Sequence, residues 1–173
     1  MPIVSIAGSD LDLPRNLALL DTNVLVAFVD DRDNDHEQAA LVVQEIEDYI
    51  WLVPLPVVVE ACGLLSSRRG SAAALALVRW ISTPGQVILL PAINVATDEF
   101  PTFLRRAEWM AQYSVDYVDS HLMELAHELS TSCGLKPPTP IVTFDTRDFL
   151  RCANGGRKYS IFDMRDLNLI EFG

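Results

Sequence analysis

Lysine is nearly missing. Lys136 and Lys158 are the only two, and with eleven arginines they set 13 basic side chains against 24 acidic ones, a formal net charge of −11. A chain this acidic lacks the basic surface that displaces counterions from a nucleic-acid backbone, which excludes broad, non-specific binding of that kind. Any polyanion must be held locally or through metal ions. Cysteine is sparse as well. Cys62, Cys133 and Cys152 show no C-x-x-C spacing, so they offer neither a zinc motif nor a paired disulfide framework. An odd, low count suits a reducing, cytoplasmic setting, where cysteine acts as a small buried hydrophobe. Long hydrophobic runs are absent. The longest uncharged apolar stretch, Tyr49 to Val59, is broken by Pro54 and Pro56 and is too short to span a bilayer, so no membrane partner is expected. The start of the chain lacks the basic residues and apolar run of a signal peptide. There is no internal repeat, linker or low-complexity segment.

What is present is an apolar half: 50% of the 173 residues are hydrophobic and 21% charged, a globular composition large enough for one well-buried core. Residues 1–16 mix Gly, Ser, Asp and Pro and read as a lead segment, in part without fixed structure. Residues 17–173 read as a single domain. Short apolar runs at Leu17–Leu20, Ile50–Val53, Val87–Leu90, Ile141–Phe144 and Tyr159–Phe162 read as buried strands, with Leu169–Phe172 as a short edge strand. Between them the spacing predicts a helical turn at 22–29, a polar loop at 30–35 and helices over 36–48, from Pro56 to Gly70, 71–82, 97–113 and 117–133, with a further turn at 146–151. Ser71 and Asp116 read as caps of the helices that follow them. Strands alternating with amphipathic helices predict an α/β fold, a three-layer α/β/α sandwich around a central parallel sheet of about five strands.

In such sheets ligands bind beyond the carboxyl ends of the strands, and acids fall there. Asp21 ends the first strand, Glu60 follows the second by two helical turns, and Asp145 ends the fourth. Asp116 and Asp119 begin the helix that feeds the fourth, which puts them near the same edge. Each has a plain alternative. Asp21 can cap the turn at Thr22 and Asn23, while Asp116/Asp119 and Asp145/Asp148 can each cap a helix and favour its dipole. Glu60 is harder to set aside, because it interrupts the apolar segments Leu55–Val59 and Ala61–Leu65, and buried glutamates are rare unless paired or metal-bound. Acids gathered on one edge repel unless cations compensate. Oxygen donors without a histidine or cysteine pair suit Mg²⁺ or Mn²⁺ and not zinc.

The segment Leu19-Leu20-Asp21-Thr22-Asn23-Val24-Leu25 resembles the opening motif of PIN-domain ribonucleases, in particular the VapC-type toxins of bacterial toxin–antitoxin pairs. Asp35-His36-Glu37-Gln38-Ala39, Val59-Glu60-Ala61, Val118-Asp119-Ser120 with Leu125-Ala126, and Thr143-Phe144-Asp145-Thr146-Arg147-Asp148-Phe149 resemble the motifs that follow, in the family's order, from about Leu17 to Phe162. The resemblance implies that Asp21, Glu60, Asp119 and Asp145 form the catalytic set and hold the metal, with Asp116 as an auxiliary ligand. It implies that Thr22, Asn23, Thr143 and Arg147 orient ligands or substrate. It further implies a magnesium- or manganese-dependent nuclease that hydrolyses RNA to a 5′-phosphate and a 3′-hydroxyl, with RNA as substrate and an antitoxin as protein partner. The lead before Asp21 is longer than in the compact toxins. The apolar fraction also points to a self-association or partner surface, a homodimer being one form.

Two rivals remain on residues alone. A binding or scaffold module with this fold needs no such set of acids. A phosphatase with an aspartyl nucleophile needs a second Asp two residues after the first, where Asn23 stands. Phosphate contacts outside the acids would fall to Arg68/Arg69, Arg105/Arg106 or Arg147/Arg151, with Arg147 the best candidate beside Asp145, although solvated helix ends and surface pairs are the favoured reading of each. Trp51, Trp80 and Trp109 read as core or interface residues, and His36 as a helix-terminus residue.

Overall fold

The computed structural model describes residues 3–6, 9–12, 17–45, 49–83, 87–90, 100–131, 139–153 and 155–172. The lead segment is more ordered than its composition predicts, since β1 (Ile3–Ile6) and β2 (Ser9–Asp12) pair antiparallel with each other. Next comes β3 (Leu17–Leu20), whose four residues are all buried. An apolar strand without alternation belongs where both faces are covered, and β3 lies inside the sheet, parallel to β4 (Ile50–Pro54) on one side and to β6 (Pro140–Thr143) on the other. The remaining strands are β5 (Val87–Leu90), β7 (Tyr159–Asp163) and β8 (Asn168–Phe172), giving the order β5-β4-β3-β6-β7-β8. Five strands run parallel, as expected, and the edge strand β8 adds a sixth, antiparallel to β7.

Helices α1 (Thr22–Val29), α2 (His36–Glu45), α3 (Leu55–Arg69), α4 (Ser71–Ile81), α5 (Phe100–Tyr113), α6 (Tyr117–Thr131) and α7 (Arg147–Arg151) connect the strands and flank the sheet. The predicted helix residues 46–48, 97–99 and 132–133 lie outside the described residues. Proline sits in the first turn of α3, where its missing N–H costs nothing. Ser71 is not the cap of α4: Gly70 ends α3 and begins α4, at φ +86° and ψ 168°. Only glycine takes that backbone cheaply. The core joins Leu19, Leu20, Trp51, Leu52 and Ile161 of the strands to Leu25, Leu65, Leu122 and Phe149 of the helices.

After β3 the chain moves outward to β4 and β5, then returns to place β6 on the other side of β3. The reversal opens a crevice at the carboxyl ends of β3 and β6, the usual ligand position in open α/β sheets. Asp21 follows β3 directly, and Asp145 lies two residues past β6.

Candidate active site

Beyond those strand ends lies a pocket of about 280 Å³ lined by Asp21, Thr22, Asn23, Glu60, Asp116, Asp119 and Asp145, together with Asp33, Asp35 and Asp148, the apolar Val26 and Leu64, and Arg68. All five acids singled out in the sequence therefore face one cavity. Thr143 lies beneath it, hydrogen-bonded to Asp21, and Arg147 stands outside it, bonded to Asp145.

Asp21 is the most enclosed of the acids, at 5% exposure. Its Oδ1 accepts the Thr22 backbone N–H at 2.6 Å, which starts α1, so the capping alternative is also true. Its Oδ2 accepts the Thr143 hydroxyl at 2.6 Å and the Asn23 side-chain amide at 2.8 Å. Asn23 uses both ends of its amide. Nδ2 also donates to Thr143 Oγ1 at 2.9 Å, while Oδ1 accepts the Phe144 backbone N–H at 3.1 Å. An aspartate there has no N–H to give and would add another charge, so the network itself calls for asparagine at the position the phosphatase reading needs acidic. The Asp145 backbone N–H donates to Thr143 Oγ1 at 3.0 Å. One hydroxyl thus ties the ends of β3 and β6 together. Across the pocket, Thr22 Oγ1 donates to Glu60 Oε2 at 2.6 Å.

Burial, and after it charge repulsion, favours the protonated form of two of these acids. Burial pushes Asp21 up to about 6, with Glu60 and Asp116 adding to it, against the hydrogen bonds from Thr143 and Thr22. Asp119 rises further, to about 9, first through burial and then through the charges of Asp21, Asp116 and Asp148 and a hydrogen bond shared with Asp148. Asp145 goes the other way. The Arg147 guanidinium bonds it through Nε at 2.8 Å and through a second contact, and holds it below the ordinary carboxylate range. Asp116 is exposed, and its Oδ1 accepts the Asp119 backbone N–H at 2.9 Å, capping α6 as expected.

A pocket with this many carboxylates has the donor chemistry of a hard divalent cation. As placed, the acids serve protein donors, and among the described residues no three His, Cys, Asp or Glu side chains form a closed metal cluster. The donor set fits such an ion.

Sequence reasoning missed three acids here. Asp33 and Asp35 lie in the loop before α2, and Asp148 reads as an ordinary helix-start residue. The only signals were the loop's run of aspartates and the three-residue spacing from Asp145. Among the described residues, the arginines offered for phosphate contact form the surface pairs that the sequence reading favoured for each. Arg68 pairs with Asp33 at 3.3 Å, Arg69 with Asp31 at 2.6 Å and Asp30 at 3.2 Å, Arg151 with Asp148 at 2.8 Å, and Arg165 with Asp35 at 3.2 Å. The side chains of Arg105 and Arg106 lie outside the described residues. His36 is a helix-terminus residue as expected, with Nδ1 2.8 Å from the Ala27 carbonyl oxygen.

Comparisons with known proteins agree with this fold. A family model for the PIN domain matches residues 18–155. Among solved structures, the Mycobacterium tuberculosis toxin VapC20, described as cleaving the sarcin-ricin loop, is 18% identical with a TM-score of 0.57, over 82% of this chain and 96% of that one. VapBC2 from Rickettsia felis, solved bound to a DNA fragment from its promoter, is 11% identical with a TM-score of 0.51, over 76% of this chain and 89% of that one. No curated protein sequence matches the chain.

Proposed function

The chain belongs to the PIN domain family, and on that premise we propose that it is a metal-dependent endoribonuclease, the VapC-type toxin of a toxin–antitoxin pair. The observation that carries the reading is the meeting of Asp21, Glu60, Asp116, Asp119 and Asp145, delivered by separate elements, in one pocket at the carboxyl ends of β3 and β6. Asp21, Glu60, Asp119 and Asp145 are the residues assigned to hold Mg²⁺ or Mn²⁺, with Asp116 as auxiliary. A divalent ion bound there lowers the pKa of a water and neutralises charge developing on the phosphodiester.

The protein's own contribution is positioning. Thr143 and Asn23 fix the Asp21 carboxylate, and Thr22 fixes Glu60. Arg147, bonded to Asp145 through its guanidinium, keeps that carboxylate ionised. In the reaction a water oxygen bonds to phosphorus, the bond from phosphorus to the 3′ oxygen breaks, and that oxygen takes up a proton. The products carry a 5′-phosphate and a 3′-hydroxyl. The full acid set disfavours a scaffold role, since a module without chemistry gains nothing from holding that repulsion.

Similarity to VapC20 and VapBC2 supports RNA as substrate and an antitoxin as partner. Leu55 and Val59 on α3 and Leu75 and Val78 on α4 keep large apolar side chains in solvent, a surface of the kind a protein partner covers. No described helix is long and apolar enough to cross a membrane, and a cytoplasmic site of action suits an RNA substrate and the free thiols of Cys62 and Cys152.

The test is cleavage of RNA by the purified protein with Mg²⁺ or Mn²⁺ and with chelator. Wild type is expected to cut only with the ion, and Asp21→Asn to lose activity by at least about a hundredfold while staying folded, as expected where the metal does the chemistry. Cleavage that survives Asp21→Asn or the chelator contradicts the proposal.

A further inference from the structure

An acidic nuclease must hold a polyanion with few spare cations, so the useful question is which basic groups are not already spent on carboxylates. Arg68, Arg69, Arg147, Arg151 and Arg165 all are. Arg157 is not, and neither is the exposed Arg32, but among the described residues Arg157 is the one set on an aromatic side chain. Among the described residues its guanidinium has no ion pair and no hydrogen-bond acceptor. It lies over the Trp109 ring, 4.0 Å from the centroid. A cation–π contact with an indole holds a guanidinium without neutralising it and leaves N–H groups to donate to an oxyanion.

The platform is built to bring them together. Trp109 packs against Tyr113 one turn further along α5, with ring centroids 4.9 Å apart. Trp109 Nε1 is buried with no hydrogen-bond partner, so packing, not hydrogen bonding, places the ring. Gly155 lets the following loop approach it. A Cβ there would stand 3.0 Å from the Cys152 carbonyl oxygen and 3.3 Å from Trp109 Nε1. The turn is closed by the Gly155 N–H, which donates to that same carbonyl at 2.8 Å. Lys158 is exposed beside Arg157.

The patch adjoins the acid pocket. Arg151 links Asp148 of the pocket to the end of α5, where it donates to the Ser114 carbonyl at 2.7 Å. Asp148 lies on α7, Cys152 caps that helix, and the turn closed on the Cys152 carbonyl leads straight to Arg157, so the patch and the pocket share one short stretch of chain. We propose that Arg157, held over Trp109 and flanked by Lys158, binds a backbone phosphate of the RNA strand next to the bond cut in the acid pocket. This rests on the ribonuclease reading and adds the missing cation to it. The contact is with phosphate, so it positions the strand and carries no sequence preference.

The experiment uses Arg157→Gln, Arg157→Lys and Trp109→Leu in the full chain, with two readouts. One is steady-state cleavage of an RNA oligonucleotide with Mn²⁺. The other is anisotropy of the same fluorescein-labelled oligonucleotide in chelator across a salt series. Arg157→Gln is expected to raise KM roughly tenfold with little change in kcat, and to flatten the slope of log affinity against log salt by about 0.7, one single-strand phosphate contact. Arg157→Lys restores the slope, and Trp109→Leu raises KM with Arg157 intact. A merely structural role for Arg157 would lower the melting temperature and leave the slope alone. A KM and slope in Arg157→Gln equal to wild type, or no RNA binding by wild type at any salt, overturns the proposal. Should wild type bind RNA yet cleave none, the ribonuclease reading fails, while the slope of Arg157→Gln still decides the phosphate site.

Discussion

Asp119 is held well above the carboxylate range at about 9 and Asp21 at about 6, from an ordinary 3.8. Between those values the folded protein holds protons that the unfolded chain has released, so the stability from these groups is complete below about pH 4 and is lost as pH rises through 6 and then 9. With chelator present, the melting temperature is expected to fall steadily from pH 5 to pH 9. Asp119→Asn, which removes the most strongly perturbed charge, should flatten that decline and melt higher than wild type at pH 8. A wild-type melting temperature constant over this range in chelator contradicts the burial and repulsion assigned to the pair. The contrast with Asp145 is local chemistry. One carboxylate has an arginine two residues away and ionises easily, and the other meets only acids.

At the scale of elements, the joint between α3 and α4 holds one edge of the site. Gly70 alone links them, at φ +86° and ψ 168°, and Arg68 and Arg69 just before it clasp Asp33, Asp30 and Asp31 of the loop preceding α2. Gly70→Ala forces a Cβ into a glycine-only region and is expected to cost about 1–3 kcal/mol, read as a lower urea midpoint at unchanged slope. A loss within error of zero would mean the joint relaxes freely. The strands were legible in the sequence because unbroken apolar runs such as Leu17–Leu20 have few other fates, and Asp21 and Asp145 were legible because they end such runs. Glu60 stood out as an acid amid apolar residues. The partners were not legible. Asp33 and Arg68 are 35 residues apart, and Trp109 and Arg157 lie on elements joined only by the fold. Nor does local spacing separate Gly70 from Ser71 as the cap, since the difference lies in a backbone angle. Asp148 repeats the spacing of Asp116 and Asp119, which suits a capping turn equally well.

For the whole molecule, the net charge of −11 gathers where it is least tolerated, in a pocket with more acids than basic groups to meet them. Folding without ions therefore stores repulsion there, and a cation that binds only the folded chain returns it. At a concentration one hundred times its dissociation constant such an ion adds about 2.7 kcal/mol. For a chain of this size that raises the melting temperature by roughly 5–10 °C. Millimolar Mg²⁺ or Mn²⁺ is thus expected to lift the melting temperature by several degrees. NaCl at matched ionic strength should lift it far less, because screening acts weakly on enclosed charges. Combining Asp21→Asn with Asp119→Asn should raise the ion-free melting temperature and remove most of the divalent response, since the repulsion and the ligands are the same side chains. An equal response to NaCl and to the divalent ions would assign the effect to general screening of an acidic surface, and the pocket would then have no claim to a specific cation.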